Sequence, residues 1–114
     1  MSYKKYTGKD KYHFRWYRKT RNHPFLVVLV VGESDKNGVI KISGFNITSS
    51  SLAFIKNKND YIKLDNNPSS ENDKDAYLCK RLVQNVPSKY FSRPIRGWRL
   101  SESDIEKVDA LLKK

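Results

Sequence analysis

Phe25-Leu26-Val27-Val28-Leu29-Val30-Val31 is the stretch that decides the fold. It is apolar at both parities and largely β-branched, so a strand built from it has no face that tolerates water. It therefore predicts a central strand covered on both sides, opened by Pro24. The run is far shorter than the ~20 residues a helix needs to cross a bilayer, so no membrane partner is expected.

On its N-terminal side, Arg18 to His23 reads as a short basic turn. Before it, Tyr12-His13-Phe14-Arg15-Trp16-Tyr17 reads as a first strand with Phe14 and Trp16 on one inward face. Residues 1–11 are polar and lysine-rich, are broken by Gly8, and read as a flexible basic arm. On the C-terminal side, Asn37-Gly38 is a turn dipeptide that returns the chain into a strand over Val39 to Ile47. There Ile40 and Ile42 share one parity and Phe45 and Ile47 the other. The flip predicts a bulge or bend at Gly44.

Short strands are predicted at Leu52 to Ile55 and Tyr61 to Leu64, joined by a turn over Asn57 to Asp60. Residues 65–75 form a polar loop, and Ala76 to Val86 reads as one further strand stopped by Pro87. Ser101-Glu102-Ser103-Asp104 reads as an N-cap with an acid three residues on, ahead of Ile105, Val108, Leu111 and Leu112 at helical spacing. The order predicts a mainly β fold, a small and strongly bent barrel or sheet, with one C-terminal α-helix. Residues 12–114 make a single domain.

The 114 residues carry 23 Lys plus Arg against 12 Asp plus Glu, a formal net charge of +11. Such a field attracts polyanions and says nothing about fold. Cys79 is the only cysteine, which rules out an intrachain disulfide and fits a reducing cytoplasm. Residues 1–10 have no apolar segment that would serve as a secretory signal. His13, His23 and Cys79 have no zinc spacing, the acids of the polar loop lack the calcium-loop pattern, and no phosphate-binding glycine loop is present. No metal and no cofactor are expected.

Three motifs resemble the MazF/PemK family of toxin ribonucleases. They are Pro24 leading into the apolar strand, Phe45-Asn46-Ile47-Thr48-Ser49-Ser50, and Arg99-Leu100-Ser101-Glu102-Ser103-Asp104 opening the last helix, in matching order over roughly Asn22 to Leu112. The resemblance implies an SH3-like barrel, usually a homodimer, that cuts single-stranded RNA without metal and is held inactive by an acidic antitoxin protein. It also implies that Thr48 sits at the cleavage cleft with Ser49 and Ser50 beside it. The sequence departs from the family at the residue before the Pro, where the family has an Arg that binds the scissile phosphate. Here His23 stands in that place, with Arg21 two residues earlier.

Metal-free RNA cleavage needs a base, an acid and a positive group for the phosphoryl charge. Histidine as a residue type suits acid or base work near neutral pH, so His23 is a candidate for it, or is a turn residue; Thr48 either meets the phosphate or satisfies a strand-end turn. Arg21 and Arg81 are candidates for the phosphoryl charge, or are solvated surface cations. In the first strand and the turn after it, Tyr12, His13, Arg15, Tyr17, Arg18 and Lys19 interleave rings with cations, the composition that stacks bases while following phosphates. A second segment of that character, Lys89 to Arg99, is a further contact surface or the docking place of the acidic partner. The rival to a ribonuclease is a non-catalytic small-barrel module that binds RNA or single-stranded DNA through the same residues.

Overall fold

The computed structural model describes residues 2–4, 12–19, 22–32, 40–50 and 56–113. Within them, β1 (Ser2–Lys4), β2 (His13–Tyr17), β3 (His23–Gly32), β4 (Ile40–Thr48), β5 (Tyr61–Lys63), β6 (Tyr77–Cys79), β7 (Val83–Pro87) and β8 (Phe91–Pro94) pair antiparallel, and α1 (Glu102–Leu112) follows. The protein is mainly β with one C-terminal helix, as the sequence order predicts. No helix among the described residues is long and apolar enough to cross a membrane.

The sheet runs β5-β6-β4-β3-β2-β8. β1 and β2 lie along one edge of β3, while β6 and β7 lie along the outer edge of β4. β5 and β8 are the two ends of this order and do not pair with each other among the described residues. Gly32 pairs with Ile40. The Asn37-Gly38 turn itself, the expected strand at residues 52–55 and most of the expected arm lie outside the described residues. Ser2–Lys4, within that expected arm, pairs with Val30 to Gly32.

β3 is buried on both faces, as its composition demands. One apolar cluster holds Phe14, Leu26, Phe45, Ile47, Leu78 and Val108. The other holds Tyr17, Phe25, Val27, Val30, Ile42, Val86 and Phe91. The parity change expected in β4 lies across the ladder instead. β4 alternates without interruption, Ile42 on one side and Phe45 and Ile47 on the other. In β3 the pairing steps from Val27 opposite Gly44 to Leu29 opposite Ser43, so Val28 is the extra residue. Phe25 and Val27 thus share a cluster with Val30, although the parity differs.

Gly44 is still the pivot, for a steric reason. A Cβ placed there would lie 1.8 Å from the Leu26 carbonyl oxygen and 2.7 Å from the Phe25 ring. The two strands approach too closely for any side chain. A second irregularity faces the same point, since β7 shifts register between Ile42 and Gly44 and Asn85 takes φ 56°. The expected single strand over Ala76 to Val86 is accordingly two strands. β6 joins β4 at Ile47 and Thr48, β7 joins it at Lys41 to Gly44, and the exposed Lys80-Arg81 pair makes the step between them.

Helix α1 begins as expected, with Ser101 Oγ accepting from the Asp104 N–H at 3.3 Å. Asp104 does not complete a capping box. Its fully buried carboxylate accepts from the backbone N–H of Asp65 at 2.7 Å and of Asn66 at 3.1 Å, and from Ser101 Oγ at 2.9 Å. Lys107 bonds the Lys63 carbonyl at 3.0 Å and Asp65 at 2.8 Å, closing the same junction. Lys107 and the Ser103 hydroxyl together hold the Asp65 carboxyl below the usual range.

Two substitutions check these constraints by urea denaturation. Gly44→Ala is expected to cost about 3 kcal/mol, because the blocking atoms include backbone that cannot rotate away. Asp104→Ala, which strips two loop N–H groups of their acceptor, is expected to cost about 2 kcal/mol.

Candidate nucleic-acid interface

Where β2 ends, β3 begins and β4 ends, the surface opens into a cleft of about 360 Å³. Trp16, His23, Pro24, Thr48, Ser49 and Trp98 line it together with Asn67 and Asn72. His23 and Thr48, read from separate motifs, share this cleft, and Ser49 is beside them. The register explains the meeting: Tyr17 pairs with His23 and Trp16 with Pro24, so strand ends from both sides of β3 finish at one rim.

Trp98 reaches the cleft through a turn at Gly97, whose φ of 84° favours glycine. Its ring meets Trp16 edge-on at 5.5 Å and Phe14 at 5.8 Å. The far wall is the polar loop, which is built rather than featureless. Asn67 donates to the Lys74 carbonyl at 2.9 Å and accepts from the Ser69 N–H at 2.9 Å. Asn72 accepts from the Lys74 N–H at 3.0 Å, and the Arg99 N–H ties the buried Pro68 carbonyl at 3.1 Å. Asp104 holds the start of this loop, so the helix cap also positions the cleft wall.

Pairing of β2 with β8 brings the two basic and aromatic segments side by side. The Arg15 guanidinium donates to the Ser92 carbonyl at 3.2 Å, and the Arg18 N–H donates to the Tyr90 carbonyl at 2.7 Å. Lys19 and Lys89 lie 5.9 and 5.2 Å from the Tyr90 ring centroid, one from each segment. Arg18, Lys19, Lys89, Arg93, Arg96 and Arg99 are exposed along this shoulder. Exposed cations also occur elsewhere, at Lys41, Lys58, Lys80 and Arg81 among others. None of the described residues lining the cleft is Lys or Arg.

The other expected contact residues sort by what holds them. Tyr17 is 9% exposed and stacks on Phe91 at 4.7 Å, because its parity places it in the second cluster; its ring faces are not open to a base. Tyr12 donates its hydroxyl to Asp109 of α1, which together with burial raises its pKa. Arg15 is half-buried and bonds His13 Nε2 at 2.9 Å, so both stitch β2 rather than face outward. Arg81 is exposed in the β6–β7 step and does not line the cleft, and Arg21 lies outside the described residues. Ser50 is exposed and donates its N–H to Thr48 Oγ1 at 3.1 Å, the strand-end turn foreseen for that hydroxyl.

A larger cavity of about 600 Å³ lies elsewhere, against Tyr12, Val28, Leu29, Leu82 and Leu112. Among the described residues it shares no lining residue with the cleft, and Tyr12 is the only one of the expected site residues in it. Size alone does not make it the site; the cleft unites the converging polar groups and rings. Among the described residues no group of His, Cys, Asp and Glu is arranged to hold a metal ion. No protein-family model, curated protein or solved structure matches the chain.

Burial first, then the Arg15 charge, pushes His13 down to about 4. The folded state therefore favours neutral His13, whereas the unfolded chain takes up a proton below about 6.5. Stability is expected to be full above pH 6.5 and to fall by about 2 kcal/mol as pH drops toward 4, after discounting for partial solvent exposure. Urea titrations at pH 7 and 4.5 measure this, and His13→Gln should remove most of the difference.

Proposed function

We propose that this chain binds single-stranded RNA, with a base in the Trp16–Trp98 cleft and phosphates along the shoulder formed by β2 and β8. The observation that carries the reading is that β2–β8 pairing joins the two basic and aromatic segments next to a neutral cleft edged by rings. Rings supply sequence-tolerant stacking, and the exposed cations supply the salt-sensitive attraction to phosphate. On this reading the bent antiparallel sheet is a small SH3-like barrel of the MazF/PemK type.

A second reading, metal-independent cleavage by a toxin of that family, is favoured by His23 and Thr48 lining one cleft. In it, His23 exchanges the proton of the 2′-hydroxyl or of the leaving oxygen, Thr48 donates its hydroxyl to the phosphate, and Arg21 neutralises the phosphoryl charge. A homodimer and an acidic antitoxin partner belong to this reading.

Fluorescence anisotropy with a labelled unstructured RNA tests both. Trp98→Ala is expected to weaken binding about tenfold, the loss of one stack. Lys19→Glu with Lys89→Glu should weaken it further and flatten the salt dependence. A flat salt response in the unmodified protein would exclude nucleic acid as the partner. The same RNA incubated in EDTA should stay intact; fragments ending in 2′,3′-cyclic phosphate, lost in His23→Ala and Thr48→Ala, would establish the ribonuclease instead.

A further inference from the structure

Charge changes sign across the cleft. On the shoulder side stand exposed cations, Arg18 and Lys19 shortly after Trp16, and Arg96 and Arg99 on either side of Trp98 in the chain. On the far side, Asn67 and Asn72 act as a partition: they line the cleft and also a second hollow of about 330 Å³. Asp65, Asp73 and Asp75 line that second hollow, and Lys74 is the one cation among its described lining residues.

Ion pairing does not cancel the acids. Lys107 holds Asp65 at 2.8 Å, while Asp75 meets Lys63 at 3.5 Å with both side chains exposed. Asp73 and its neighbour Glu71 are exposed and make no ion pair among the described residues. Asn72 therefore stands in the partition with an unpaired carboxylate on each side of it in sequence. The loop is also tied down. Asn67 bonds Ser69 and Lys74, Asn72 bonds Lys74, and Asp104 grips the N–H groups of Asp65 and Asn66. A ligand cannot push the acids aside without breaking those bonds.

A phosphate chain lying on the shoulder is attracted by each cation that it meets. A phosphate carried past Asn72 would instead come within a Debye length of several carboxylates, where like charges repel. We propose that the acidic hollow is an electrostatic stop and that the cleft seats the terminal nucleotide of a single strand, whose chain runs back along the shoulder. This rests on the single-strand binding reading and names the part of the strand that is taken, an end and not an interior stretch.

The test compares one unstructured RNA sequence in linear and in covalently circularised form, which share base composition and differ in having ends. Trp16 and Trp98 are the only tryptophans in the chain and both line the cleft, so quenching of their fluorescence on titration reports its occupancy. At low salt the linear form is expected to bind about tenfold tighter than the circle. The ratio should shrink toward one as salt rises, because repulsion between exposed charges is screened. Glu71→Gln with Asp73→Asn should preserve the thermal midpoint and bring the circle to within about threefold of the linear form. Equal binding of the two forms to the unmodified protein, with quenching intact, would overturn the strand-end assignment and leave single-strand binding standing. Failure of both forms to bind would overturn the binding reading together with it. A linear preference left unchanged in the double variant would overturn the electrostatic stop.

Discussion

β3 and β4 meet at Gly44 so closely that the Leu26 carbonyl occupies the space a side chain would need. That approach fixes the architecture on both sides of the sheet. Opposite it, β3 spends one extra residue at Val28, and the strand changes the face it gives to each cluster. A continuous apolar strand can then feed two cores, with Leu26 in one and Phe25, Val27 and Val30 in the other. On the outer side of β4, the same point separates β6 from β7 and places Asn85 in the left-handed region, which Asn tolerates better than most residues. Without the close contact, the strands would have no reason to divide where they do.

The second organising element is electrostatic and sits at the helix cap. Asp104 is a fully buried carboxylate, a costly placement unless its lone pairs are filled. Two backbone N–H groups from residues 65 and 66 and the Ser101 hydroxyl fill them, with Lys107 at 3.6 Å. The loop that begins there forms the wall opposite the tryptophans. Helix capping, loop conformation and cleft shape are thereby linked through one side chain, although none of its contacts is a cleft contact.

The sequence carried the β class, the central strand and the helix start because each depends on local pattern: a run apolar at both parities, and a Ser ahead of an amphipathic repeat. It placed the irregularity at the right glycine and on the wrong strand, since a parity change in one strand reads the same as an extra residue in its neighbour. Ala76 to Val86 looked continuous because Lys80 and Arg81 fit an alternating strand as well as they fit an exposed step. At the cleft, His23, Thr48 and Ser49 were legible from motif ends. Asn67 and Asn72 were not, because an amide that bonds its own loop looks in sequence like any polar linker. Trp16 was assigned inward by parity, and the structure leaves it half-buried at a cleft edge, a compromise large rings make where a strand ends.

Among the described residues the exposed cations and the two tryptophan rings are divided in space, which bears on the proposed function. Exposed cations attract a phosphate chain at long range, and that attraction is weakened by salt and indifferent to sequence. Among the described residues, the cleft lining adds no Lys or Arg to it. Its rings act only at contact. On the proposed binding reading, the shoulder holds the strand and the cleft seats a base. Merging the two, with an arginine inside the cleft, would raise affinity while letting phosphate compete with the base for the same donors. On that reading, the place of Arg18, Lys19 and Lys89 outside the cleft lining avoids that competition.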